Sequence, residues 1–277
     1  MRIRVAHHTR YDYDSPAQVL QVLRVSPRGY DGQHVAHWRL DADADVCVRR
    51  TEDAFGNVVH ILSAEGPVSS LTLSAGGEVT TRDCSGLVEG APEPLPPAVF
   101  LRETALTRPD AALKDLAAGA ATRAEPLDRL HALMAAVSGA IVFETGRTDS
   151  GTSAAEALEL RRGVCQDLAH VFIAGARLMG APARYVSGHL MRPETVAQEA
   201  GHAWAEALVP GLGWVGFDPV NGVCPTEAYV RVAVGLDYLD AAPVRGTRNG
   251  GGAERLSVRL AVAPVLPTRR QQMQAQQ

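Results

Sequence analysis

The chain has 277 residues, 46% of them hydrophobic and 21% charged, a balance that excludes both the disordered class and a small scaffold stapled by metals or disulfides. A formal charge of -4 lacks the basic footprint of a nucleic-acid binder or a membrane-surface protein, so no nucleic-acid and no membrane partner is expected. The start, MRIRVAHHTRYDYDSP, has no apolar signal-like stretch, and no run approaches the roughly 18 apolar residues of a membrane span, which predicts a cytoplasmic protein. The residues up to 91 read as strands: Arg2 to Thr9 is short and extended, Phe55 to Leu62 follows a turn, and Leu71 to Thr81 alternates around Gly76-Gly77. They predict an N-terminal β-sandwich-like domain over 1–91. The proline-rich stretch at 92–97 (PEPLPP) forbids helix and removes ladder donors, marking a domain boundary.

Alanine and leucine then recur at helical spacing over Asp110 to Ala121, Leu127 to Ser138 and Ser153 to Arg162. Ser153 and Glu156 have capping-box spacing, and Gly163, just past Arg161-Arg162, suits a helix end. Another helix starts near Cys165 and runs to Gly180. Ala183 to Leu190, Ala203 to Val209, Trp214 to Phe217 and Arg255 to Ala263 follow as strands. Helices ahead of strands, without regular βαβ alternation or a phosphate-binding glycine motif, predict an α+β fold. The core is expected over 98–222, a β segment packed on it over 223–264, and a disordered tail over 265–277.

Cys47, Cys84, Cys165 and Cys224 are scattered without CxxC pairs, so neither structural zinc nor a disulfide framework is predicted, and no cofactor is expected. His34 and His37 have the spacing of metal ligands on a helix but lack a carboxylate or cysteine partner. Cys165 differs from the other three. It opens a helix, where unsatisfied amides and the positive dipole end favour a thiolate and supply an N–H for an oxyanion. In GHAWAEALVPGLGWVGFDPVNG, a turn at Pro210 to Gly213 makes a hairpin that sets His202 opposite 218–220, so the Asp218 carboxylate can orient the imidazole. Cys165, His202 and Asp218 then form the nucleophile, base and orienter that a thiol acyl transferase needs. His170, five residues after Cys165, falls off the cysteine's face of the helix. His189, at the end of a strand, is placed to line the substrate cleft. Gln166, next to the nucleophile, reaches towards the cleft, and Trp204 shares a strand face with His202, where it can shield the ring; Gln166, His189 and Trp204 are the expected substrate-binding residues. Asp167, in the first helical turn, is expected to stabilise the dipole or pair with Arg161, Arg162 or Arg184, and Trp214 and Phe217 to be core.

RRGVCQDLAHVFIAGARLMGAPARYVSGHL followed by that hairpin resembles the core of the transglutaminase-like superfamily, of papain-like ancestry, over about 125 to 222. HHTRYDYDSPAQ, DAFGNVV and VAVGLDYLDAAPVRGTRNGG resemble its bacterial subfamily with an N-terminal β domain. The resemblance implies a papain-like core of helices followed by an antiparallel sheet, and puts the family's nucleophile, base and acid on Cys165, His202 and Asp218. His189, Val220 and Leu236 depart from the family's usual residues, and these departures bear on substrate preference. The leading expectation is a cysteine enzyme that attacks a peptide, isopeptide or carboxamide bond of a peptide or protein substrate and forms a Cys165 thioester. Water resolving the thioester makes an amidase or peptidase, an outcome the resemblance slightly favours; an amine makes a transglutaminase. The competing class is a non-catalytic binding or scaffold protein on the same fold. No feature of the sequence sets the oligomeric state.

Overall fold

Alternation of buried and exposed side chains runs almost unbroken through Arg2–Ser26, and those 25 residues form one strand, β1. The extended segment expected at Arg2 to Thr9 is only its beginning. Asp14-Ser15-Pro16, which would end an ordinary strand, sits where β1 exchanges partners, so the donor missing at Pro16 falls between two registers. The computed structural model describes residues 1–64, 66–198 and 200–265. The tail expected to be disordered lies, but for its first residue, outside them.

After β1 come β2 (Gln33–Ala42), β3 (Val46–Glu52), β4 (Val58–Ala64), β5 (Val68–Thr81) and the short β6 (Leu87–Val88). The proline-rich stretch leads into a 3-10 turn at Pro97–Leu101. Then follow α1 (Ala111–Ala120), α2 (Pro126–Ala140), β7 (Val142–Phe143), α3 (Ala154–Leu160), β8 (Arg162–Gly163) and α4 (Cys165–Leu178). The chain ends in β9 (Ala183–Leu190), β10 (Ala197–Gln198), β11 (His202–Val209), β12 (Gly213–Phe217), β13 (Tyr229–Gly235), α5 (Tyr238–Ala241), β14 (Val244–Gly250) and β15 (Glu254–Pro264). This is an α+β fold, strand-rich first and helical before the second sheet.

In the first sheet β1 is central: its first half pairs with β5 and β15, its second with β4 and β14. β2 and β3 extend the two limbs. The limbs face each other across Tyr11, Val19, Leu23, Leu62, Leu71 and Leu73, which gives the region its sandwich character. The second sheet runs β13-β9-β11-β12-β6, all antiparallel, with α4 against it. Ala203, Ala205 and Ala207 of β11 share one cluster with Leu168, Phe172 and Ile173 of α4, because only small side chains let a helix lie that close to a strand.

The segment 223–264, expected to pack on the core as one piece, divides. β13 is an edge of the core sheet, while β14 and β15 return to pair with β1. Period-two alternation fixes which face of a strand is buried; it does not say which strand lies beside it.

The free edge of β13 is covered by two side-chain amides. Gln33 accepts from Arg231 N and donates to Arg231 O, both at 2.8 Å. Asn57 does the same at Val234, accepting from N at 2.8 Å and donating to O at 2.7 Å. Each amide thereby stands in for a neighbouring strand and joins the two sheets. Asn57→Ala leaves the Val234 N–H and C=O buried without partners and is expected to cost about 2 kcal/mol or more, measured by chemical denaturation of the full chain.

Candidate active site

Arg161 ends α3 in the left-handed region, at φ 52°. The glycine expected to end that helix, Gly163, instead makes room for a carboxylate. A Cβ there would lie 2.7 Å from Asp167 Oδ2, so the bare Cα lets that side chain come close. Asp167 Oδ2 accepts from Val164 N at 2.7 Å and Thr148 Oγ1 at 2.6 Å, which fixes the first turn of α4. Of the two expectations for Asp167, its place at the head of the helix holds and the arginine pairing does not. Arg162 bonds Glu144, and Arg184 bonds Glu206 and Glu93. Burial raises the Asp167 pKa against those hydrogen bonds. Cys165 stands on the anchored turn, half-buried.

The β11–β12 hairpin pairs Ala205 with Phe217 and Val209 with Gly213, which carries His202 over the residues after β12. Its Nε2 donates to Asp218 Oδ2 at 2.6 Å. Cys165 faces the same cleft as this ring and lies near enough to help hold its proton, with Nδ1 the nitrogen that Asp218 leaves unengaged. The structure thus brings Cys165, His202 and Asp218 together.

Asp218 is fully buried and highly coordinated. Oδ1 accepts from Val220 N at 2.9 Å and Asn221 N at 3.3 Å; Oδ2 also accepts from Asn221 Nδ2 at 2.6 Å and Tyr229 Oη at 2.7 Å. Burial favours the neutral acid, but the bonds from His202, Asn221 and Tyr229 outweigh it and hold the group below its ordinary value. For His202, burial opposes the charge, while Asp218 and Cys165 prevail and push the imidazole up to about 9. Sequence reasoning does not find Tyr229 or Asn221. Asn221 is legible in retrospect as a turn residue three after an acid; Tyr229 comes from β13, and nothing local announces it.

Cys165 and His202 open onto a cleft of about 310 Å³ that Gln166 and His189 also line. Gln166 Nε2 reaches Asp149 O at 3.3 Å. His189 is buried and meets His7 of β1 edge-to-face, ring centroids 5.9 Å apart. Trp204, expected beside the substrate, lies elsewhere. Its ring is 6.1 Å from the imidazole, but it packs with Tyr229, Val186 and Leu190 on the face of β11 turned away from α4. Trp204 therefore backs the imidazole and does not line the cleft. Trp214 and Phe217 are both core. His170 is buried and accepts from Tyr238 N at 3.0 Å. His34 and His37 lie on β2, not on a helix, so the helical spacing that suggested ligands does not apply. Leu236 packs in an apolar cluster with Phe100 and Trp214.

Comparison with known proteins gives the same layout. Residues 114–219 match the transglutaminase-like superfamily, and residues 3–80 match the bacterial transglutaminase-like N-terminal region. An uncharacterised protein of Mycobacterium leprae is 33% identical over 271 residues, covering 93% of this chain and 96% of that one. Another uncharacterised protein, from Mycobacterium tuberculosis, is 29% identical, covering 88% and 87%. Among solved structures, a Cytophaga hutchinsonii protein provisionally described as a cysteine protease superposes with a TM-score of 0.78 at 22% identity, over 97% of this chain and 92% of that one.

Proposed function

Since the chain belongs to the transglutaminase-like superfamily, we propose that it is a cysteine-nucleophile enzyme acting at peptide, isopeptide or carboxamide bonds through a Cys165 thioester, with hydrolysis preferred to amine transfer. The observation that carries this reading is the buried His202–Asp218 bond, with the imidazole and Cys165 lining the same cleft. Asp218 is already bonded on both oxygens, so it orients the ring and stabilises imidazolium without taking its proton.

His202 holds the thiol proton, and the sulfur attacks the carbonyl carbon. The resulting oxyanion lies against backbone N–H groups of the first turn of α4, which have no acceptor within the helix. As the C–N bond breaks, imidazolium gives its proton to the leaving amine, and the acyl group stays on sulfur as a thioester. Water then loses a proton to His202, attacks the thioester and releases the acid and the free thiol.

Preference for water rests on the aromatics of the catalytic hairpin, which do not close over the cleft. Transfer to an amine needs a dry tunnel; Tyr11, Tyr185 and Tyr238 line part of the cleft, but the hairpin's own aromatics add nothing to it: Trp204 backs the imidazole, Trp214 packs under Arg184, and Phe217 stacks on Phe172. Incubated with glutamine-containing peptides and their amide analogues at millimolar amine, the protein is expected to give mainly free acid, read by mass spectrometry. Mainly amine adducts, lost in Cys165→Ala, would make it a transferase. No acyl-enzyme and no product in either case would leave the binding or scaffold reading.

A further inference from the structure

Along β15 the even-numbered side chains form one apolar stripe. Val262 and Leu260 are buried in the main core; Val258 is half-buried; Leu256 is 56% exposed. The stripe does not end where the protein stops covering it. Leu256 and Val258 continue into the Cys165 cleft and line it. Their register partners on β1, Tyr11 and Thr9, line it as well, so the wall facing the catalytic pair is a two-strand surface of the first sheet.

The floor of the cleft is uncharged. His7 of β1 and His189 of β9 meet there, and burial holds their imidazoles down at about 4 and about 3, so both stay neutral where a thiol enzyme works. Among the described lining residues outside the catalytic pair, Arg24 is the one with a charge at neutral pH, and Asp53 engages it at 2.8 Å. A charged group entering this space would be desolvated without a free counter-ion.

We propose that this wall of the first sheet is the acyl-group subsite of the enzyme, and that the group it takes is apolar and uncharged, packed between Leu256, Val258 and Tyr11 and the catalytic pair. The proposal rests on the reading of Cys165 as nucleophile and adds the substrate class. It also gives the N-terminal region a part in specificity.

The test uses the full chain and three alkylating probes: iodoacetamide, N-benzyl-iodoacetamide and N-(4-carboxybenzyl)iodoacetamide. Modification of Cys165 is followed by peptide mass mapping, with each rate divided by that with glutathione. Burial of an aromatic ring predicts a benzyl advantage over iodoacetamide of about tenfold or more, and loss of most of it when the ring carries a carboxylate. Leu256→Asp, at an exposed position that folding tolerates, is expected to bring the benzyl-to-iodoacetamide ratio close to one. Equal normalised rates for the three probes, or an unchanged ratio in Leu256→Asp, overturn the subsite whatever the turnover. A benzyl preference in a chain that turns over no amide supports the subsite's chemistry and counts against the proposed reaction.

Discussion

Asp218→Asn is expected to lower kcat/KM by about 10²–10⁴-fold and to move the alkaline limb of its pH profile to lower pH. The productive form of a thiol–imidazole pair carries its proton on the ring, so activity is lost as pH rises through the imidazole's pKa. With His202 pushed up to about 9, the wild-type limb is expected there. An asparagine keeps the shape of the side chain while removing the charge that outweighs burial, so the ring releases its proton earlier. Steady-state rates between pH 6 and 10 on whichever amide substrate is turned over, with a melting curve as control for folding, decide it. A variant with both rate and limb unchanged would remove Asp218 from the mechanism.

A comparable loss, this time of stability, is expected for Glu206→Gln. Glu206 is fully buried and accepts from Arg184 Nε at 2.6 Å and from Arg231 at 2.7 and 3.1 Å. Burial would raise its pKa, but Arg231 and Arg184 together pull it down to about 2. Glutamine occupies the same volume and leaves two guanidinium groups facing a neutral amide. Arg184 keeps Glu93 and its stacking on Trp214, whereas Arg231 loses the carboxylate that compensates it. Removing one partner of a buried charge network costs about 3–5 kcal/mol, which lowers Tm by about 10 °C. The sign with pH follows from the lowered pKa. The carboxylate's contribution is present above its unfolded value, near 4.5, and is lost only as pH falls through about 2. The difference between wild type and variant is therefore expected to persist from neutral pH down to about 5 and to close in strong acid.

The pieces of the candidate site are legible in the sequence because each announces itself locally. A cysteine opening a helix needs only the preceding glycine and the apolar run after it, and a hairpin with a two-sided glycine turn brings His202 to Asp218 by counting. Trp204 is harder to place, since period-two reasoning identifies a shared face of β11 without saying which face α4 covers; the alanines at 203, 205 and 207 answer that only once the helix is docked. For Asp167, charge alone points to arginine partners. The first-turn amide wins because it belongs to the helix itself, and Thr148 because its short side chain costs little entropy to order. The return of β14 and β15 to β1 has no local signal at all.

That return sets the order in which the chain can become itself. Residues 3–13 pair with 254–264, so during synthesis one side of the first strand waits unpaired until β15 has left the ribosome. Such distant pairing is slow, and an open strand edge held for that time invites association with other nascent chains. The helices lie between the two in sequence, but the cleft needs both: one of its walls is shared by β1 and β15. The proposed acyl subsite is therefore complete only once β15 has docked on β1, after the hairpin that joins His202 to Asp218 has been made.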